Sequence, residues 1–111
     1  MIVNDIVEKI DLKVVAGEKQ LNKEVNSGFV GDLLSVVMGK AKEGCAWITI
    51  QGHLNIVAVA SLVDVACIIV SEGFEVELDT IEKANEEEIP ILSTTMSSYQ
   101  IAAQLTKLGI A

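Results

Sequence analysis

From residue 45 onward, short runs of uninterrupted apolar residues alternate with segments of helical periodicity, and no other feature of the chain narrows its possible folds so far. The stretches 45–50, 67–70 and 90–93 read as strands. None shows the apolar–polar alternation of a strand with one wet face. Each is therefore expected to be covered on both sides, as in a parallel sheet with helices above and below. Between them, residues 53–63 read as a helix with Leu54, Val57, Ala58, Ala60 and Ser61 at its close-packing positions. Residues 77–88 read as an exposed acidic helix that turns Leu78, Ile81 and Ala84 inward. Ser97 or Ser98 is placed to cap a last helix carrying Ile101, Ala102, Leu105 and Leu108. The crossovers between such strands are right-handed.

The earlier part of the chain is less regular. Residues 3–10 predict a short helix with Ile6, Val7 and Ile10 on one face and Asn4 or Asp5 as its cap. Residues 12–16 predict a strand, and 25–30 an irregular extended segment. Asp32 is positioned to cap a helix whose buried stripe is Leu33, Leu34, Val37 and Met38. There is no internal repeat, linker or low-complexity tract. Residues 1–111 are thus expected to form a single domain, an α/β fold with a mostly parallel sheet and helices packed on it.

Half of the residues are hydrophobic, yet the apolar runs break at Ser61, Asp64 and Ser71. They fall short of the roughly 20 residues that a bilayer-spanning helix needs. Met1-Ile2-Val3-Asn4-Asp5 lacks the basic start and apolar core of a secretion signal, so a cytoplasmic location is expected. The apolar excess is then expected to fill a core and a buried face between subunits, most simply in a homodimer. Sixteen acidic residues against eight basic ones give a formal net charge of −8, with no Lys or Arg stripe. That balance argues against nucleic-acid and anionic-membrane partners. Cys45 and Cys67 fit no zinc or redox spacing and read as small buried hydrophobes.

In a parallel sheet the loops that follow the strands gather on one edge, where residues distant in sequence converge. The loops here carry Gln51-Gly52-His53-Leu54-Asn55, Ser71-Glu72-Gly73 and Thr94-Thr95-Met96-Ser97-Ser98. Gly52, His53, Asn55, Glu72, Gly73 and Thr94 are accordingly the candidate ligand-binding residues. Helix N-termini beside these loops favour a small anionic group. Each residue also has an ordinary role open to it: glycines for tight turns, His53, Asn55 and the serines for satisfying backbone groups at helix starts. No phosphate loop, dinucleotide turn, zinc-protease motif or serine-hydrolase elbow is present. Nothing in the spacing predicts catalytic residues, a metal site or a cofactor.

The run Ala46-Trp47-Ile48-Thr49-Ile50-Gln51-Gly52-His53-Leu54-Asn55-Ile56-Val57-Ala58-Val59-Ala60 carries a resemblance. Together with Cys67-Ile68-Ile69-Val70-Ser71-Glu72-Gly73 and the Ile-Pro-Ile-Leu-Ser-Thr of residues 89–94, it resembles the DRTGG domain, most clearly from Gly31 onward. It is also similar to the N-terminal, non-kinase domain of HPr kinase/phosphorylase. The naming motif is not kept. Gly52-His53-Leu54 stands where the family typically has Gly-Asp-Arg, and Ser71-Glu72-Gly73 where it has Thr-Gly-Gly, so only the glycines carry over. The pattern His53-Leu54-Asn55 resembles a stand-alone subgroup associated with bacterial redox or hydrogenase gene neighbourhoods.

The resemblance implies an α/β fold and dimerisation, and no catalytic activity. A serine-kinase role would need the phosphate loop that is missing here. The expected function is a non-catalytic regulatory, ligand-sensing or dimerisation module with a small anionic or nucleotide-like ligand. The competing reading is a protein-interaction subunit that docks on a larger redox enzyme or kinase.

Overall fold

A computed structural model describes residues 1–111. In chain order the elements are α1 (Val3–Lys9), β1 (Lys13–Ala16), β2 (Ser27–Val30), α2 (Leu34–Lys40), β3 (Cys45–Thr49), α3 (Asn55–Val63), β4 (Cys67–Val70), α4 (Leu78–Glu86), β5 (Ile91–Ser93) and α5 (Ser98–Lys107). A single 3₁₀ turn covers Glu18–Gln20. The five strands make one sheet in the order β1-β5-β4-β3-β2. β2, β3, β4 and β5 are mutually parallel, and β1 joins the edge of β5 antiparallel, with a bulge between Val14 and Ala16.

The uninterrupted apolar runs have the meaning expected of them, since every residue of β3 and β4 is buried. One face of the sheet presents the row Phe29, Trp47, Ile68 and Ile91 across four strands. This row packs under Val37 of α2, Ile56, Val57 and Ala60 of α3, and Ala84 of α4. The other face presents Ala46, Ile48, Cys67, Ile69 and Leu92 to Val3 and Ile6 of α1 and to Ile101 and Leu105 of α5. Cys45 and Cys67 belong to opposite faces, so no disulfide joins them. No helix is long and apolar enough to cross a membrane.

Four helices are rotated or capped differently from the expectation. α3 buries Ile56, Val57, Val59 and Ala60, while Leu54, Ala58 and Ser61 face solvent. Val57 and Ala60 pack as expected, and Ile56 and Val59, with larger apolar side chains than Ala58 and Ser61, take the remaining core positions. α4 buries Thr80 and Ala84 and half-buries Ile81, whereas Leu78 is 80% exposed. Leu78 is the first residue of that helix. α2 keeps only Val37 in the core, and Leu33 and Met38 are exposed. Its cap position is Leu33, not Asp32, because the Asp32 carboxylate is drawn instead to the end of β3. In α1 the cap position is Ile2, and Asp5 reaches back from inside the helix to accept the Ile2 N–H at 2.9 Å. Ser97 caps α5 as expected, its hydroxyl accepting the Gln100 N–H at 3.1 Å.

Trp47 ties the core to the end of β2. Its ring is fully buried and its Nε1–H donates to the Gly31 carbonyl at 2.9 Å. Trp47→Ala is expected to cost about 3–5 kcal/mol in urea unfolding followed by circular dichroism. Trp47→Phe keeps most of the apolar bulk but strands the Gly31 carbonyl, for a cost of about 1–3 kcal/mol. Loss of less than about 1 kcal/mol in the alanine variant would contradict this packing.

Burial, with the neighbouring Cys45 adding to it, pushes the Cys67 thiol up to about 12 from 9.0. The folded state therefore holds this proton where the unfolded chain releases it. Stability is full below about pH 9 and falls as the pH rises toward 12. Unfolding midpoints measured across that range check the sign, and at pH 8 the native thiol should resist alkylation that the urea-unfolded chain accepts.

Candidate functional site

Parallel strands β2 to β5 deliver their following loops to one edge of the sheet, here termed the carboxyl rim. The antiparallel β1 begins at the same edge, with Lys13 opposite Ser93. All six candidate residues lie on this rim, but they fall into separate groups.

Gly52 is pressed against the loop that follows β4. A Cβ there would run into the Glu75 carbonyl oxygen, so the position has no room for a side chain. The Gly52 carbonyl accepts the Glu77 N–H at 3.1 Å and the Thr80 hydroxyl at 2.9 Å, which fastens the start of α4 to the end of β3. His53 Nδ1 lies 3.4 Å from Glu77 Oε2, and both side chains are exposed. A pair so open to water contributes little to stability. Asn55 is the first residue of α3 and lines a groove of about 710 Å³ between α3 and α4, together with Leu54, Ala58, Leu62, Lys83 and Glu87.

Glu72 and Gly73 form a left-handed turn, with φ of +61° and +73°. The turn points the Glu72 N–H at the Met96 carbonyl (2.8 Å) and the Gly73 N–H at the Thr94 carbonyl (3.0 Å). The same geometry brings Glu72 Oε2 within 3.0 Å of the Ser98 N–H, the first N–H of α5. Gln100 Oε1 accepts the Ser97 N–H at 3.0 Å. The N-terminus of α5 is thus filled by the chain's own carboxylate and capping side chains, in the place where an external anion would otherwise sit. Gly73 and Thr94 also line a shallow hollow of about 330 Å³, whose wall includes Lys13, Phe74 and Ser93.

α3 begins differently. Leu54 occupies its cap position without a side-chain hydrogen bond. The N–H groups of Leu54 and Asn55 donate to no protein acceptor. The rim therefore offers free backbone donors beside β3, and a lysine and the Thr94 hydroxyl beside β5. Such groups donate hydrogen bonds and carry positive charge, with no nucleophile or acid–base pair among them. The hydroxyls of Ser71 and Ser98 lie 2.6 Å apart and bond each other, and His53 contacts neither of them. No group of three or more His, Cys, Asp or Glu side chains gathers to hold a metal ion.

Residues that sequence reasoning passed over complete the rim. Asp32 Oδ1 accepts the Thr49 hydroxyl and the Ile50 N–H, both at 2.9 Å, and so fixes the loops after β2 and β3 to each other. The signal available was an aspartate just past a strand, which also suits a helix cap. Lys13 reaches the rim only because β1 runs antiparallel, and nothing in its local sequence indicates that.

Comparison with known proteins places the chain in context. The DRTGG domain family model matches residues 5–108. The chain is 27% identical over 107 residues to the uncharacterized protein YtoI of Bacillus subtilis (strain 168), a match covering 93% of this chain and 23% of that protein. It therefore spans less than a quarter of the length of that relative. Among solved structures, the fold is similar to the CBS and DRTGG domains of the regulatory region of Clostridium perfringens pyrophosphatase, complexed with its activator diadenosine tetraphosphate. The TM-score is 0.73 at 17% identity, over 91% of this chain and 44% of that one. The α/β architecture read from the apolar runs is thus that of a known regulatory region's domain. Matched along nearly its whole length, the chain belongs to the DRTGG domain family.

Proposed function

We propose that this chain is a non-catalytic regulatory module, cytoplasmic and homodimeric, that takes a small nucleotide-like ligand at its carboxyl rim. The observation that carries the reading is the convergence of the loops after β2, β3, β4 and β5 on one edge, which holds unpaired N–H groups at the start of α3 and, three strands away, an unpaired lysine on β1. The similarity to a regulatory region complexed with a nucleotide activator supports ligand sensing in general. His53, Asn55, Gly73 and Thr94 are the residues proposed to touch the ligand. Gly52 and Glu72 shape the rim from behind, one by close packing and the other by capping α5.

Charge constrains the ligand. Lys13 is the rim's cation, and Asp11, Glu75 and Glu77 stand on the same edge. A polyphosphate would need an accompanying divalent cation to be held there, so recognition falls on backbone donors, the Thr94 hydroxyl and the base or sugar. The alternative, a protein-interaction subunit that docks on a larger redox enzyme or kinase, is favoured by the exposed Leu54 and Leu62 on the outer side of α3.

A thermal-shift and calorimetry panel of diadenosine tetraphosphate, ATP, AMP and inorganic phosphate, each with and without Mg²⁺, separates the two. A ligand present at about 100 times its Kd adds about 2.7 kcal/mol of stability. Asn55→Ala is expected to weaken that ligand about tenfold without lowering the Tm of the free protein, whereas Thr94→Ala weakens it similarly and also lowers the Tm, because the Thr94 hydroxyl accepts the Met96 N–H at 3.1 Å. A flat response to every nucleotide would overturn the ligand reading and leave the interaction subunit.

A further inference from the structure

We infer that the groove between α3 and α4 is the docking site for an amphipathic helix of another protein, one with a ridge of large apolar side chains and a basic flank. The inference deepens the interaction reading given above and does not depend on the ligand. α3 lies between α2 and α4 in the layer that covers one face of the sheet. Its inner residues fill the core, yet Asn55–Val63 contains no charged residue at all. An amphipathic surface helix normally turns charged groups away from the core. α3 instead exposes Asn55, Ala58, Ser61 and Leu62, with Leu54 just ahead of them.

The shape of the groove fixes the kind of occupant. Leu54, Ala58 and Leu62 follow one another at intervals of four residues and form one ridge, cut away at its middle by the alanine. Leu54 is 41% and Leu62 72% exposed. About 12 Å of helix separates them. The groove holds about 710 Å³, more than twice the hollow beside Gly73 and Thr94. A small polar ligand would find little there to orient it, because Lys83 and Glu87 face each other at 3.5 Å. An extended segment would find no strand to pair with, since the edges of the sheet are β1 and β2. A helix laid along the groove seats one apolar side chain in the notch at Ala58 and its neighbours, a turn away, against the two leucines.

Charge sets the sign of the occupant. One wall of the groove is α4, whose exposed side carries Asp79, Glu82, Glu86 and Glu87 against Lys83 alone. Lys83 is already paired with Glu86 at 3.7 Å and with Glu87 at 3.5 Å, and Asp79 and Glu82 form no ion pair. α3 adds no cation to offset them. Lysine or arginine on the flank of the incoming helix nearest α4 complements this wall, and an acidic helix is repelled by it. A second copy of the chain, with its net charge of −8, brings the wrong sign. The apolar ridge then supplies the affinity, and the wall supplies selection and association rate.

Selection of short peptides from a randomised display library on the full chain, with counter-selection on Leu62→Gln, tests the inference. Enriched peptides are expected to carry Leu, Ile, Met or Phe at intervals of three and four residues, with Lys or Arg on one flank. In fluorescence anisotropy a synthetic peptide of that sequence should lose at least about tenfold in affinity to Leu62→Gln and to Ala58→Gln, which fills the notch. Both positions are exposed, and circular dichroism checks that the fold is kept. Glu87→Gln should weaken the peptide and flatten the salt dependence of its binding. Tyr99→Ala, on a helix of the opposite face, should leave it unchanged. No enrichment over the counter-selection, enrichment of acidic or extended sequences, or a peptide that binds Leu62→Gln and Ala58→Gln as tightly as the wild type would overturn the inference. So would a wild-type dimer that either variant dissociates, since a second copy would then occupy the groove. A chain that binds such a peptide and no nucleotide keeps this inference and loses the ligand reading. One that binds diadenosine tetraphosphate and selects no peptide does the reverse.

Discussion

The central strands β3 and β4 have no face left for water, and the rest of the molecule is arranged around that constraint. Their side chains fill both sides of the sheet, so helices must cover both sides, and the chain must cross from one end of the sheet to the other between successive strands. Each large side chain removed from water there contributes about 1.5–3 kcal/mol before entropy is counted. Trp47, Ile48, Ile68 and Ile69 are all at or near complete burial. Once the crossovers are helical and the strands parallel, the loops after them have only one edge on which to end.

That edge is built with unusual attention to its own polar groups. The Gly52 carbonyl, the Asp32 carboxylate and the Glu72 carboxylate each join segments that are far apart in sequence. Glu72 occupies the start of α5, so that helix N-terminus is closed to an outside anion. The start of α3 remains open and carries a leucine instead of a capping side chain. On the rim Asp32 and Glu72 are hydrogen-bonded within the chain, whereas the outer face of α4 carries Asp79, Glu82, Glu86 and Glu87 with Lys83 as its one cation. A module whose reactive groups are used to position its own loops is suited to binding and association.

The strands of the central sheet were legible because complete burial leaves an uninterrupted apolar run, and Cys45, Cys67 and Pro90 mark where these runs begin. The rim followed from their parallel direction, and the six residues chosen from its loops all lie on it. Their individual roles were not legible. Glu72 acts on Ser98 and Gly52 on Glu75, contacts set by tertiary packing that no local pattern encodes. In α3 the burial of Val57 and Ala60 was legible, but Ala58 and Ser61 only look like close-packing positions, and Ile56 and Val59 have more to gain from the core. Leu78 carries the periodicity of a buried residue but is exposed at the first position of α4. The antiparallel edge strand β1, and with it Lys13, depends on a pairing between residues 13 and 93 that sequence periodicity does not reveal.

Backbone amide hydrogen exchange, followed on adding diadenosine tetraphosphate, probes the rim directly. If ligand binding happens where the parallel strands end, changes in protection will be confined to residues 31–34, 51–56, 72–78 and 94–99. Changes centred instead on the opposite edge, at residues 17–20, 43–44 and 64–66, with the rim unaltered, would contradict the account.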